Sequence, residues 1–131
     1  MIGLDTNIVV RYLAQDDPIQ SARASELIDQ RLTEENPGFV SIVAMAETVW
    51  VLERTYGLSH LEIAAAVEGL LQADVLVIEN SQEVFTAMVA LKERRGAFAD
   101  ALIGALGERA GCSRTLTFDH KARRLPQFAP A

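Results

Sequence analysis

Four acidic residues stand at positions where a carboxylate could bind a metal ion. Asp5 and Asp119 each follow a short apolar run, and Glu47 and Asp100 are each the only charge in an apolar helical segment. An ionised carboxylate buried in such surroundings is costly unless a cation or hydrogen-bond donors offset its desolvation. The chain has no His or Cys set suited to zinc, whereas Mg²⁺ prefers carboxylate and water oxygens. The four acids therefore predict a site for a hard divalent cation.

Helix capping is a simpler interpretation for two of these acids. Asp5, Thr6 and Asn7 are residue types that accept hydrogen bonds from free N–H groups at a helix start, and Asp100 lies close to the start of a predicted helix. Glu47 lies in the middle of a predicted helix, where capping does not explain it. The sequence leaves both interpretations open for Asp5 and Asp100.

Strand and helix patterns alternate along the chain and predict an α/β fold with a parallel sheet. The unbroken apolar run at 75–78 predicts a strand that is buried on both faces. Asp5 and Asp119, each at the end of a strand, would then emerge at the same carboxyl edge of the sheet, where α/β proteins bind ligands. Because Pro126 and Pro130 interrupt the last residues, the sequence does not decide whether a fifth strand follows. Strands are predicted near residues 2–4, 39–41, 75–78 and 114–118, and helices near 8–14, 18–32, 42–56, 60–73, 81–95 and 98–110.

Size and composition favour one folded domain. A chain of 131 residues should bury roughly two-thirds of its unfolded surface, which suffices for a single core spanning residues 1–131. No apolar run approaches the length of about 18 residues that a membrane span needs, so no membrane partner and a cytoplasmic location are expected.

Charge is distributed unevenly along the chain. Residues 1–91 carry 14 acids and 4 bases, a net charge of −10, whereas residues 92–131 carry 4 acids and 8 bases, a net charge of +4. The basic C-terminal part could contact phosphates if its arginines share a face, or could be an ordinary solvated surface.

The chain resembles the PIN-domain ribonucleases, specifically the VapC-type toxins of bacterial and archaeal toxin–antitoxin pairs. The resemblance covers essentially the whole chain and depends on the order and spacing of its motifs. These motifs are Leu4–Asn7, Ser41–Glu47 with Val49–Glu53, Phe98–Ile103 and Thr115–Asp119.

The resemblance implies a metal-dependent endoribonuclease with a three-layer α/β/α sandwich and a central parallel sheet of four to five strands. The four acids would hold Mg²⁺ or Mn²⁺, and a metal-bound water would attack the phosphodiester. It further implies a homodimer, an RNA substrate of the tRNA or rRNA class, and a cognate VapB-type antitoxin that covers the site. The residues expected to orient the acids or the attacking water are Thr6, Asn7 and Thr117.

Four arginines near the acidic motifs are candidates for holding the RNA backbone, because Arg matches phosphate bidentately. They are Arg94, Arg95, Arg123 and Arg124. Two alternatives remain. A haloacid-dehalogenase-like phosphohydrolase would need a second Asp where Asn7 stands, and a catalytically silent PIN-like module would use the same fold only to bind RNA or protein.

Overall fold

The structure, a computed structural model, describes residues 1–131 and has six α-helices and five short strands. A π-helical turn at Leu27–Arg31 extends the second helix, and a 3-10 turn at Ala122–Arg124 precedes the last strand. The strands are β1 Ile2–Gly3, β2 Gly38–Val40, β3 Leu76–Ile78, β4 Thr115–Thr117 and β5 Phe128–Pro130. The helices are α1 Thr6–Ala14, α2 Pro18–Glu26, α3 Ile42–Arg54, α4 His60–Gln72, α5 Ser81–Lys92 and α6 Phe98–Arg109.

All strand pairs are parallel, which confirms the predicted α/β class. The strands form two hydrogen-bonded groups, a sheet with the order β1-β2-β3 and a separate pair β4-β5. The expected central sheet is therefore divided in two. The fifth strand that the sequence left open is β5, in which Pro130 occupies the last position, and Pro is compatible with the edge of a sheet.

Local sequence signals explain where several helices begin. The Asp17 side chain accepts hydrogen bonds from the N–H groups of Ile19 and Gln20, and Pro18 occupies the first turn of α2. Ser59 and Glu62 form the predicted capping box at the start of α4. Both predicted helix starts are confirmed, because each depends only on hydrogen bonds between residues close together in sequence.

The buried core includes part of the three-stranded sheet. Leu76 and Ile78 are buried in it, but Val77 between them is 41% exposed. Successive residues of a strand point to opposite faces, so the face of β3 that carries Val77 lacks a complete cover. The prediction that this strand is buried on both faces is wrong.

None of the helices could span a membrane. The longest, α3 and α4, have 13 residues each, and no helix combines the required length with the required hydropathy.

Candidate active site

One cleft gathers acidic and basic side chains from three separate stretches of the chain. Its volume is about 390 Å³, and it lies between the start of α4, the α5–α6 connection, the start of α6 and the loop after β4. Only two of its lining residues are hydrophobic, so it is a polar site. The lining residues are His60, Leu91, Arg94, Arg95, Gly96, Ala97, Asp100, Asp119, Lys121 and Arg124.

Asp100 lies in surroundings that shift its pKa. It is the third residue of α6, and the start of that helix has no side-chain cap, so capping does not explain it. Partial burial raises the pKa of Asp100, and the nearby charge of Asp119 raises it further. A bound cation would oppose both effects.

Asp119 is held by the turn that follows β4. Its Oδ1 atom accepts a hydrogen bond of 2.8 Å from the Lys121 N–H, and its own N–H donates a 3.0 Å bond to Thr117 Oγ1. Thr117, expected to orient an acid, therefore contacts the backbone of Asp119. These bonds hold the loop in place, and Asp119 lines the same cleft as Asp100.

Asp5 follows β1, as expected, and caps α1. Its Oδ1 atom accepts a 2.9 Å hydrogen bond from the Thr6 N–H, so the capping interpretation is confirmed for this residue. Thr6 is buried, whereas Asn7 is exposed and lines a separate depression of about 240 Å³ that includes Arg11 and Arg23. Asp5, Thr6 and Asn7 do not line the Asp100 cleft.

Glu47 is exposed, so the prediction that its carboxylate is buried in an apolar helix is wrong. Val43 and Trp50, one turn away on either side along α3, are exposed as well. The core face of α3 is formed instead by Ala44, Met45, Thr48, Val49 and Leu52. Glu47 thus lies on the solvent face of α3, beside the exposed side chains of Val43 and Trp50.

The structure therefore brings Asp100 and Asp119 together but leaves Asp5 and Glu47 outside the cleft. No three Asp, Glu, His or Cys side chains lie close enough to form a metal-binding group. Neither Asp100 nor Asp119 is ion-paired, although four cationic side chains line the same cleft. Mg²⁺ is commonly held by one or two carboxylates, with waters and substrate phosphates as the remaining ligands. The Asp100–Asp119 pair fits such an ion.

Of the predicted arginines, Arg94, Arg95 and Arg124 line the cleft and Arg123 does not. The Arg95 Nη2 atom lies 3.5 Å from the Glu93 Oε2 atom. Because both side chains are half exposed, this salt bridge contributes little to stability. Lys121 is a further cation in the lining that sequence reasoning missed, although its position two residues after Asp119 was a usable signal.

His60 occupies its predicted place at the start of α4 and, in addition, lines the cleft. The Arg94 Nε–H donates a 3.0 Å hydrogen bond to His60 Nε2. An accepting Nε2 requires a neutral ring. Arg94 also has a φ of +58°, a left-handed conformation that is uncommon for residues other than Gly and is often found at functional sites. Nothing in the sequence links two residues 34 positions apart.

An α/β fold with paired carboxylates and a basic rim can bind a metal ion and a phosphate at one place. In agreement, the family model described as PIN domain matches residues 2–127, so the chain belongs to the PIN domain family. PIN domains are generally metal-dependent nucleases and typically bind divalent metals, which places this chain in a nuclease-type fold. A search of curated proteins found no match.

Proposed function

We propose that the protein is a metal-dependent endoribonuclease, the toxin of a VapC-type toxin–antitoxin pair. The observation that carries the proposal is the Asp100–Asp119 pair, which has no ion-pair partner in a cleft that four cations share. Acids without counterions suit a divalent metal, and the three cleft cations that form no salt bridge, Arg94, Lys121 and Arg124, suit phosphate. The order of the four acidic motifs supports ribonuclease and toxin activity in particular.

Asp100 and Asp119 would hold Mg²⁺ or Mn²⁺. The motif resemblance also assigns Asp5 and Glu47 to the acidic site, although neither lines the cleft. When bound, the ion supplies an activated water and stabilises charge on the phosphoryl oxygens. Thr117 keeps the Asp119 loop in place through the 3.0 Å bond to its backbone. Arg94, with His60 against its Nε, would hold an RNA phosphate together with the other cleft cations, Arg95, Lys121 and Arg124.

The proposal includes a homodimer, a VapB-type antitoxin, an RNA of the tRNA or rRNA class, and action in the cytoplasm as a single domain. The homodimer, the antitoxin and the RNA substrate follow from the resemblance of the motifs. The single domain follows from the chain length of 131 residues, and the location from the lack of a long apolar run in the sequence. Exposed apolar side chains on α3, Val43 and Trp50, support a protein contact at the helix that carries Glu47.

A catalytically silent PIN module that binds RNA or protein is the second candidate function. It is favoured by the position of Asp5 and Glu47 outside the cleft and by the lack of any group of three potential ligands. A haloacid-dehalogenase-like activity has no support, because the chain belongs to the PIN domain family and has Asn7 in place of the second Asp.

Cleavage of defined tRNA and rRNA fragments by antitoxin-free protein tests the proposal. Reactions would contain Mg²⁺, Mn²⁺ or chelator, and the variants would be Asp100→Asn and, as a matched control, Asp74→Asn at an exposed position outside the cleft. We expect chelator to abolish cleavage and Asp100→Asn to slow it by about 100-fold or more, the scale for losing a group that stabilises transition-state charge. Asp74→Asn should cleave like the parent protein. Folded protein that binds these RNAs but cleaves none in either metal would instead support the silent module.

A further inference from the structure

Glu83 is a buried carboxylate that takes no part in the cleft. It lies in the first turn of α5 and is only 9% exposed. Its Oε1 atom has no hydrogen-bond partner. The helix dipole favours a carboxylate near a helix N-terminus, but it does not replace the hydrogen bonds that a carboxylate loses when it leaves water. Glu83 can therefore accept hydrogen bonds from a further group.

The salt bridge between Arg109 and Glu83 satisfies this carboxylate poorly. The Arg109 Nη1 atom lies 3.5 Å from Glu83 Oε1, and the Arg109 side chain is 58% exposed. A guanidinium that fits a carboxylate commonly forms two parallel hydrogen bonds of about 2.7–2.9 Å. No hydrogen bond from Arg109 reaches Glu83 Oε1. Arg109 therefore neutralises part of the charge and leaves the acceptor unused.

Glu83 lines a polar pocket between α5, α6 and the segment that precedes β5. The pocket has a volume of about 280 Å³, and only one of its seven lining residues is hydrophobic. It lies at the opposite end of the two helices from the cleft, since Glu108 follows Asp100 by eight residues, or about 12 Å, along α6. The other polar residues of its lining are Gln82, Thr86, Glu108, Arg109 and Gln127.

Negative charge and hydrogen-bond acceptors dominate this pocket. Glu83 and Glu108 provide two carboxylates against the single cation of Arg109. A Cβ atom added at Gly104 would lie 3.3 Å from Gln127 Oε1, so the Gln127 amide packs on α6 where the glycine leaves room. The pocket also includes the last turn of α6, whose free carbonyl groups carry a partial negative charge. The site therefore favours a positively charged ligand that donates hydrogen bonds.

An alkylammonium group fits this pocket better than a metal ion or a guanidinium does. No three Asp, Glu, His or Cys side chains lie close enough together to hold a metal ion. The volume of about 280 Å³ is roughly nine times the volume of about 30 Å³ that a water occupies in the liquid, so an organic chain has room. The planar Arg109 guanidinium makes no hydrogen bond to Glu83 Oε1, whereas an ammonium is compact and has three N–H donors.

We infer that this pocket binds a small organic cation through an alkylammonium group, which donates hydrogen bonds to Glu83 and displaces Arg109 from it. Glu108 adds a second negative charge, and the Gln127 amide oxygen accepts a further hydrogen bond. The alkyl chain occupies the remaining volume. The inference does not depend on the proposed nuclease function, because the pocket shares no lining residue with the cleft.

Isothermal titration calorimetry on the full chain tests the inference. The probes are butylamine, putrescine and Nα-acetyl-lysine amide, which present the ammonium group on a monoamine, on a free diamine and on a protein-like side chain. The comparison ligands are tetramethylammonium, which has no N–H donor, ethylguanidinium, which is planar, and Mg²⁺. The variants are Glu83→Gln, Arg109→Gln, Asp100→Asn and, as a control for the loss of one negative charge outside the pocket, Glu26→Gln.

We expect the amines to bind the parent protein and Glu83→Gln to weaken this binding by about 10- to 150-fold, the range for one hydrogen bond to a charged group. Arg109→Gln should tighten binding by about 2- to 5-fold, because it removes an exposed competing cation. Asp100→Asn and Glu26→Gln should bind the amines like the parent. Tighter binding of putrescine than of Nα-acetyl-lysine amide would favour a free amine as the source, and the reverse order would favour a lysine side chain of another protein.

Equal amine affinity in Glu83→Gln and the parent would overturn the inference, as would a parent protein that binds none of the amines. Tetramethylammonium or ethylguanidinium that binds as tightly as butylamine would overturn the choice of an ammonium donor. Mg²⁺ that competes with butylamine in the parent, but does not bind Glu83→Gln, would assign the pocket to a metal ion instead. Thermal unfolding of each variant checks its folding. If Glu83→Gln does not fold, amine binding that is weakened in Arg109→Gln would overturn the inference by itself.

Discussion

Divalent metal should reverse an electrostatic destabilisation that is built into Asp100. Burial and the charge of Asp119 raise the pKa of Asp100 in the folded protein above the ordinary value of 3.8. A raised pKa means that the fold favours the protonated carboxyl. This contribution to stability is fully present below the unfolded pKa and is lost as the pH rises through the folded pKa. Ionisation of Asp100 as the pH rises therefore opposes folding of the metal-free protein.

The size of the metal effect follows from linkage. An ion that binds only the folded state at ten times its dissociation constant stabilises by about 1.4 kcal/mol. For 131 residues, an unfolding entropy of about 2.1 cal/mol/K per residue gives about 0.28 kcal/mol per degree. The expected increase in Tm is about 5 °C. In chelator, Asp100→Asn should melt above the parent by less than about 4 °C, because partial solvent exposure limits the electrostatic gain to under about 1 kcal/mol.

Thermal unfolding between about pH 5 and pH 8, with chelator or with Mg²⁺, measures both effects. Asp100→Asn should lose most of the metal-dependent increase in Tm, and Asp74→Asn should retain it. An equal Mg²⁺ shift in Asp100→Asn and the parent would show that the ion binds elsewhere. Metal-free Asp100→Asn that melts below the parent at pH 8 would refute the electrostatic argument itself.

Two further substitutions test the packing of α3 and the path of the RNA. Thr48 is 0% exposed, and its Oγ1 atom has no hydrogen-bond partner. Thr48→Val should therefore raise the free energy of unfolding, measured by urea titration, by about 1–2 kcal/mol. A decrease would mean that the hydroxyl has a hydrogen-bond partner in solution. Arg124→Ala should weaken RNA binding and reduce the slope of log K against log salt by about 0.7, the value for one phosphate contact on a single strand. Arg123→Ala, at a neighbouring residue outside the cleft, should change neither quantity, and equal effects of the two would contradict the assignment of the cleft to RNA.

The amino-acid sequence by itself determined most of the local structure. Asp17 with Pro18, and Ser59 with Glu62, mark helix starts because the hydrogen bonds that they make span only two or three residues. Alternation of strand and helix patterns likewise determined the α/β class, which the parallel strands and the PIN family match confirm. The sequence did not decide whether β5 forms, because Pro is uncommon in strands. Only its pairing with β4 in the structure shows that Pro130 belongs to an edge strand.

Only the tertiary structure decided which functional side chains meet. All four acids are candidates in the sequence, but Asp100 and Asp119 share a cleft and Glu47 lies on the solvent face of α3. The face of a helix that is buried depends on what packs against it, and an apolar sequence around Glu47 does not specify that. The contact between His60 and Arg94 depends in the same way on the packing of α4 against α5. Such long-range contacts are set by the whole core, so no local pattern in the sequence encodes them.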